Sequence, residues 1–276
     1  MSGIRVLESF LCSKSGAPDG GDDAIIVTPH FAAVLDGATD SSGVTYGGIG
    51  PARFVVEAGL NAIRQLAPDV TACEAVKTLS LAVQQALRTP PDQALWRPPC
   101  FVFAMYSAAR REIWRVGDTQ YLIDGIGQNP DLVVDQVTTA VRRMVLHAQL
   151  AQGATIEDLR REDPGHEAAT PLFVLQTQFM NRAGSPFSYG AVNGTAVPVE
   201  LIEVLPVPSG AKEIVLATDG YPQVYASLQE SEAGLQAVLE QDPLLINIHI
   251  ASKGWCPGAA SFDDRAYLRL DVSVAR

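Results

Sequence analysis

Cysteine is scarce in this chain of 276 residues, and its four copies are scattered at Cys12, Cys73, Cys100 and Cys256. They form no CxxC pair and no Cys/His zinc spacing, which sets aside a disulfide framework and a structural zinc. Long apolar runs are missing too. None reaches the roughly 18–20 residues that cross a bilayer, and the opening MSGIRVLESFLCSKSG lacks the organisation of a signal peptide. A soluble, cytoplasmic setting is therefore expected. Positive charge is in short supply: 20 Lys and Arg against 31 Asp and Glu leave a formal charge of −11. That balance argues against a nucleic-acid surface or an anionic membrane as partner. An acidic protein acting on phosphate would need metal ions to offset the repulsion. The four histidines, His30, His147, His166 and His249, show no metal-ligand spacing. There is no GxSxG elbow, HExxH, Walker A loop or GxGxxG either.

What is present reads as a globular domain. Hydrophobic residues make up 47% and charged residues 18%, a balance that buries a core without covalent help. No repeat or low-complexity linker divides the chain, so one domain over residues 1–276 is expected. Short β-rich runs at 24–27 and 31–35 predict two adjacent strands, the second ending in Asp36-Gly37. Pro51 suits a first helical turn, and apolar spacing predicts helices at 51–67 and 71–88. Thr71 and Glu74 have the spacing of a capping box for the second. After a Pro-rich loop at 89–99, the runs at 101–108, 112–116 and 120–123 predict an antiparallel meander, with Asp118 in its second turn. A helix follows over 131–152, then a polar stretch at 154–168 with a short helix. The β-like pieces of 170–205 have no readable register. A strand at 213–218 ends in Asp219-Gly220, helices are expected at 229–241 and 243–252, and a strand closes the chain at 266–274.

Four acidic sites share one context, a strand end or a tight turn beside one: Asp22-Asp23, Asp36-Gly37, Asp219-Gly220 and Asp263-Asp264. Carboxylates so placed reach from a rigid sheet into a cleft, and hard divalent cations such as Mg²⁺ and Mn²⁺ favour oxygen donors. Asp-Gly is equally a common turn dipeptide. Spacing alone stops at a possible metal cluster.

The ordered series GGDDA (20–24), VLDGAT (34–39), RVGDTQYLI (115–123), LATDGYPQV (216–224) and FDDRAYLRL (262–270) resembles the type 2C metal-dependent protein phosphatase (PPM) family, as a divergent bacterial-type member. The five motifs occur in the family's order and span about residues 20–270. The resemblance implies an α+β four-layer αββα sandwich, two mostly antiparallel sheets packed face to face with flanking helices. It implies hydrolysis of phosphoserine or phosphothreonine on proteins by a water activated on two Mn²⁺ or Mg²⁺ ions, by a monomer. Asp36 resembles the carboxylate that bridges the metals, and the Gly37 carbonyl a ligand of one. Asp219 and Asp263 resemble ligands of the other. Asp22 and Asp23 resemble the pair that orients metal-bound waters. Asp118 matches the aspartate that in some members holds a weaker third metal, with a turn cap as the even alternative. The segment at about 154–195 falls where the family has its variable flap.

Departures from the family pattern concern the substrate side. Ala38 stands where eukaryotic members have an imidazole, and a longer insert occupies 40–50. Pro18 stands where the phosphate-binding arginine would fall, leaving Lys14 and Arg53 as candidate phosphate ligands, each readable as a surface charge. No Cys-x₅-Arg loop offers a thiol nucleophile instead. Two other functions stay open: a catalytically weak or inactive binding or regulatory protein of the same fold, and a phosphatase of a small phosphorylated metabolite.

Overall fold

The computed structural model describes residues 4–19, 21–38, 43–89, 91, 97–128, 130 and 132–273. Gly20 and Thr39 of the quoted motifs, residues 40–42 of the insert, part of the 89–99 loop and the last residue expected in the closing strand lie outside them.

Among the described residues, ten strands form two five-stranded antiparallel sheets. In chain order they are β1 (Arg5–Cys12), β2 (Ala24–Val27), β3 (Phe31–Ala38), β4 (Cys100–Ser107), β5 (Glu112–Val116), β6 (Gln120–Ile123), β7 (Ile126–Gln128), β8 (Glu203–Pro206), β9 (Glu213–Ala217) and β10 (Arg265–Asp271). One sheet runs β1-β10-β9-β6-β7 and the other β2-β3-β4-β5-β8. The helices are α1 (Pro51–Ile63), α2 (Ala72–Ala86), α3 (Val133–Ala151), α4 (Ile156–Arg161), α5 (Pro164–Gln176) and α6 (Leu228–Gln241).

Strand alternation builds the layers. Ala32 and Val34 of β3, with Ala104 and Tyr106 of β4, meet Leu216 of β9 and Ala266, Leu268 and Leu270 of β10 in a core between the sheets. The intervening Phe31, Ala33 and Leu35 face outward and pack with Val55 of α1 and Leu79 of α2. On the far side, Val215, Ala217 and Tyr267 pack against Leu235 and Leu239 of α6. The result is the expected αββα sandwich. Each fully buried valine, leucine or phenylalanine among these contributes about 1.5–3 kcal/mol. Among the described residues no helix is long and apolar enough to cross a membrane.

Local rules held where the sequence was clear. Pro51 opens α1, and Thr71 and Glu74 form the capping box of α2. Five expectations need correction. β3 runs to Ala38, because Asp36, Gly37 and Ala38 pair with Val102, Phe101 and Cys100 of β4; Asp36 therefore sits within a strand. The meander breaks after β5, for β6 pairs with β9 in the other sheet. Gly117-Asp118-Thr119 is thus a crossing between sheets. α5 extends through Gln176, with Asp163 capping its start and Pro171 inside it. Residues 243–252 are a loop: the Asp242 carboxylate accepts from the N–H groups of Ile246, Asn247 and Ile248, and Leu245 has φ +53°. Finally β1, β7 and β8 were not foreseen. β7 and β8 are edge strands of three and four residues, and β1, also an edge, lacks a clean alternation of exposure.

Candidate metal centre

The expected acidic residues converge on one end of the sandwich. In β3, Asp36 continues the row of Ala32 and Val34 that faces the other sheet, so its carboxylate enters the space between the sheets. Asp219 leaves the end of β9, Asp263 precedes β10 and Asp118 lies in the crossing from β5 to β6. All four, with Gly37, line one cavity of about 300 Å³. Lys14 lines it as well; Arg53 does not, being paired with Glu57 and donating to the Asp23 carbonyl.

The two acidic pairs divide their labour. Asp264 is buried and ties distant loops together: its Oδ1 accepts from Lys14 N at 2.8 Å and its Oδ2 from Asp22 N at 2.9 Å. Asp263 faces the cavity instead. Asp23 is 2% exposed; Thr218 hydrogen-bonds its carboxylate, yet its Oδ2 has no partner among the described residues. The glycine after each Asp has a packing reason that the turn reading did not supply. A Cβ on Gly37 would lie 2.7 Å from the Asp22 carbonyl oxygen, and one on Gly220 would run into the carbonyl of Asp264.

Electrostatics single this cluster out. Burial, and then the charges of Asp219, Asp23, Asp263 and Asp118, push Asp36 well above the ordinary carboxylate range. Burial followed by Asp263 and Asp118 raises Asp219 to about 7. Burial followed by Asp135 raises Asp118 to about 7. Asp219 is the neighbouring charge that acts most strongly on Asp36, and buried carboxylates that burden one another in this way call for a shared proton or a cation between them. Buried like charges of this kind mark functional sites.

Four groups on the cavity wall were not foreseen. Asp135 comes from the first turn of α3 and Arg97 from the loop before β4. His166 of α5 has Nδ1 2.8 Å from the Ser252 carbonyl, which can only accept, so Nδ1 carries the proton. Lys253 places Nζ 2.6 Å from Asp263 Oδ2. Burial works against its charge, but Asp263, Asp219 and Asp36 outweigh this and raise its pKa. In sequence each of these is a lone polar residue with no partner at any diagnostic spacing. The segment expected as a flap supplies a wall of the cavity through Phe173, Gln176, Thr177, Met180 and Tyr189.

The donor set suits a hard divalent cation in kind: several recessed carboxylates, a backbone carbonyl, and an unpartnered buried carboxylate oxygen beside them. Among the described residues, however, no three Asp, Glu, His or Cys side chains stand close enough together to grip an ion.

No family model and no curated protein matches this chain. Solved structures do. The chain is similar to the Mycobacterium tuberculosis serine/threonine phosphatase PstP/Ppp at 14% identity, over 98% of this chain and 100% of that one, with a TM-score of 0.45. A PPM Ser-Thr phosphatase, MsPP from Mycobacterium smegmatis in complex with cacodylate, is similar at 14% identity over 97% and 99%, TM-score 0.44. The serine/threonine phosphatase Stp1 from Staphylococcus aureus is similar at 10% identity over 100% and 98%, TM-score 0.48. Likenesses this distant leave the chemistry to be read from the chain's own residues.

Proposed function

We propose that this chain is a PPM-type metal-dependent phosphomonoester hydrolase acting on phosphoserine or phosphothreonine in proteins. The observation that carries the reading is the convergence of Asp36, Asp118, Asp219 and Asp263 on one cavity. Asp36, the Gly37 carbonyl and Asp219 would hold Mn²⁺ or Mg²⁺, with Asp263 beside them and Asp118 as the site of any third ion. Such a cation supplies Lewis-acid polarisation of a phosphoryl oxygen and a water acidic enough to serve as nucleophile.

The chain's own residues do the rest. The end of the sandwich holds Asp36 within a strand and Asp118, Asp219 and Asp263 on short segments beside strand ends, which fixes where positive charge can gather. Asp23, buried behind them, and Asp22 on the neighbouring turn orient the groups around the ions. Lys14 and Arg97 on the cavity wall attract the phosphate against a protein of net charge −11; Arg53, off that wall, contributes through its bond to the Asp23 carbonyl. With this reading go a single domain, a phosphoprotein partner and a cytoplasmic monomer. A second reading, a small phosphorylated metabolite as substrate, is favoured by the wall that residues 173–189 build over a cavity of about 300 Å³, the low end of small-molecule pockets.

Mn²⁺-dependent cleavage of an aryl phosphate tests the chemistry. Asp36→Asn is expected to lower it by more than about 100-fold, since even supporting groups at metal sites are worth 10–100-fold. Undiminished activity in a folded Asp36→Asn protein would sink the mechanism. Faster turnover of phosphometabolites than of phosphopeptides would replace the protein substrate by the metabolite.

A further inference from the structure

We propose that Lys253 is a resident cation of the acidic cluster, taking the place of one divalent ion at Asp263, so that this chain loads one metal fewer than the two expected. The inference rests on the metal-dependent reading above and narrows it.

Both oxygens of Asp263 are already engaged. Oδ2 is 2.6 Å from Lys253 Nζ and Oδ1 accepts the Asp264 N–H at 2.9 Å. A metal ion at Asp263 would have to displace the ammonium or sit against its charge, and two cations held on one carboxylate repel each other. A lysine ammonium is a compact point charge. It offsets the repulsion among carboxylates as one ion would, but it offers no open coordination position.

The lysine is also held in place, as a stray surface side chain is not. Arg142 of α3, with 0% exposure, donates to the carbonyls of Leu244, Leu245 and Ala251 at 2.7, 3.2 and 2.9 Å. Its Nε pairs with Asp163 at the start of α5 at 2.8 Å. His166 holds the Ser252 carbonyl, adjacent to Lys253 in the chain. The loop is thus clamped from α3 and α5 up to the residue before the lysine, and the ammonium meets Asp263 without needing to search for it. On the Asp36 side, Asp36 and Asp219 line the cavity together, so that half of the cluster keeps its demand for a divalent ion.

Calorimetric titration with Mn²⁺ decides the matter without reference to turnover. The wild-type protein is expected to bind one Mn²⁺ tightly. Lys253→Met is expected to bind a second at least about 10-fold more tightly than wild type does, Lys253→Arg to keep the wild-type count, and Lys253→Met with Asp263→Asn to return to one. Lys253→Gln gives the same readout if the methionine variant does not fold. Equal stoichiometry and affinities in wild type and the neutral variants overturn the proposal. If Asp36→Asn then abolishes Mn²⁺ binding, only the lysine assignment falls. If no protein in the series binds Mn²⁺, the metal-dependent reading falls with it.

Discussion

At the scale of single residues, the cluster makes stability depend on pH in an unusual direction. Asp118 and Asp219 are raised to about 7 by burial and by neighbouring carboxylates, against about 3.9 in an unfolded chain. Between those values the folded state binds more protons than the unfolded one, so the stability of metal-free protein falls as pH rises from about 4 to about 7. Partial access of water to these carboxyls and their mutual coupling keep the loss to about 1–3 kcal/mol. Urea midpoints measured with chelator are therefore expected to be lower at pH 7.5 than at pH 5. Mn²⁺ should restore the midpoint at pH 7.5 and have little effect at pH 5. A metal-free midpoint that rises with pH would show that the carboxylates are not mutually burdened in this way. The glycines at 37 and 220 belong to the same scale. Each leaves room for a backbone carbonyl of another acidic segment, and in this way the four acidic segments are drawn to one end of the sandwich.

At the scale of elements, the loop 242–253 does work that its sequence assigns to a helix. Its backbone carbonyls are satisfied by Arg142 and its N–H groups by Asp242, so a segment without regular structure is nonetheless fully bonded at these points. Removing Arg142 leaves Asp163 without its ion-pair partner and three carbonyls without donors. Arg142→Met is expected to cost about 3–5 kcal/mol, seen as a lower denaturation midpoint. Amide exchange in 244–253 should accelerate more than in β9 or β10. Uniform loss of protection across the molecule would instead make Arg142 a general core residue. The crossing from β5 to β6 has a comparable part. Because β6 leaves for the other sheet, the connecting turn passes the open end of the sandwich and delivers Asp118 to the cavity, which a hairpin turn would not.

At the scale of the whole molecule, chain ends and middle are interleaved. β1 pairs with β10, and β9 lies between β10 and β6, so one sheet is made from the first, middle and last parts of the chain. Urea unfolding followed by tryptophan fluorescence and by far-UV circular dichroism is accordingly expected to give one coincident transition. Trp114 reports the sheet of β2 to β5 and Trp255 the loop near α6, so two separated transitions would divide the chain into independent parts.

Individual elements were legible because amphipathic spacing and strand alternation are local properties: Pro51, the Thr71–Glu74 box, the buried row of β3 and the strand at 213–217 all followed from near neighbours, whereas their stacking into αββα layers was expected only from the family resemblance. The acidic members of the site were legible for a related reason, since each Asp sits at a recognisable strand boundary or turn and the motifs come in a family's order. Lys253, His166, Arg97 and Asp135 were not, because nothing in their near neighbours distinguishes them from solvated side chains. β1, β8 and the crossing at Asp118 escaped likewise, as pairing across more than eighty residues leaves no periodic trace, and the three residues of β7 are too few to show an alternation. By itself the sequence singled out the acidic residues that line the cavity, because strand ends and turns are written in local order and their motifs follow a family's sequence. Only the tertiary structure decided that Asp263 already has a cation beside it, because that ion pair depends on Arg142, Asp163 and His166 holding a distant loop against the end of the sandwich.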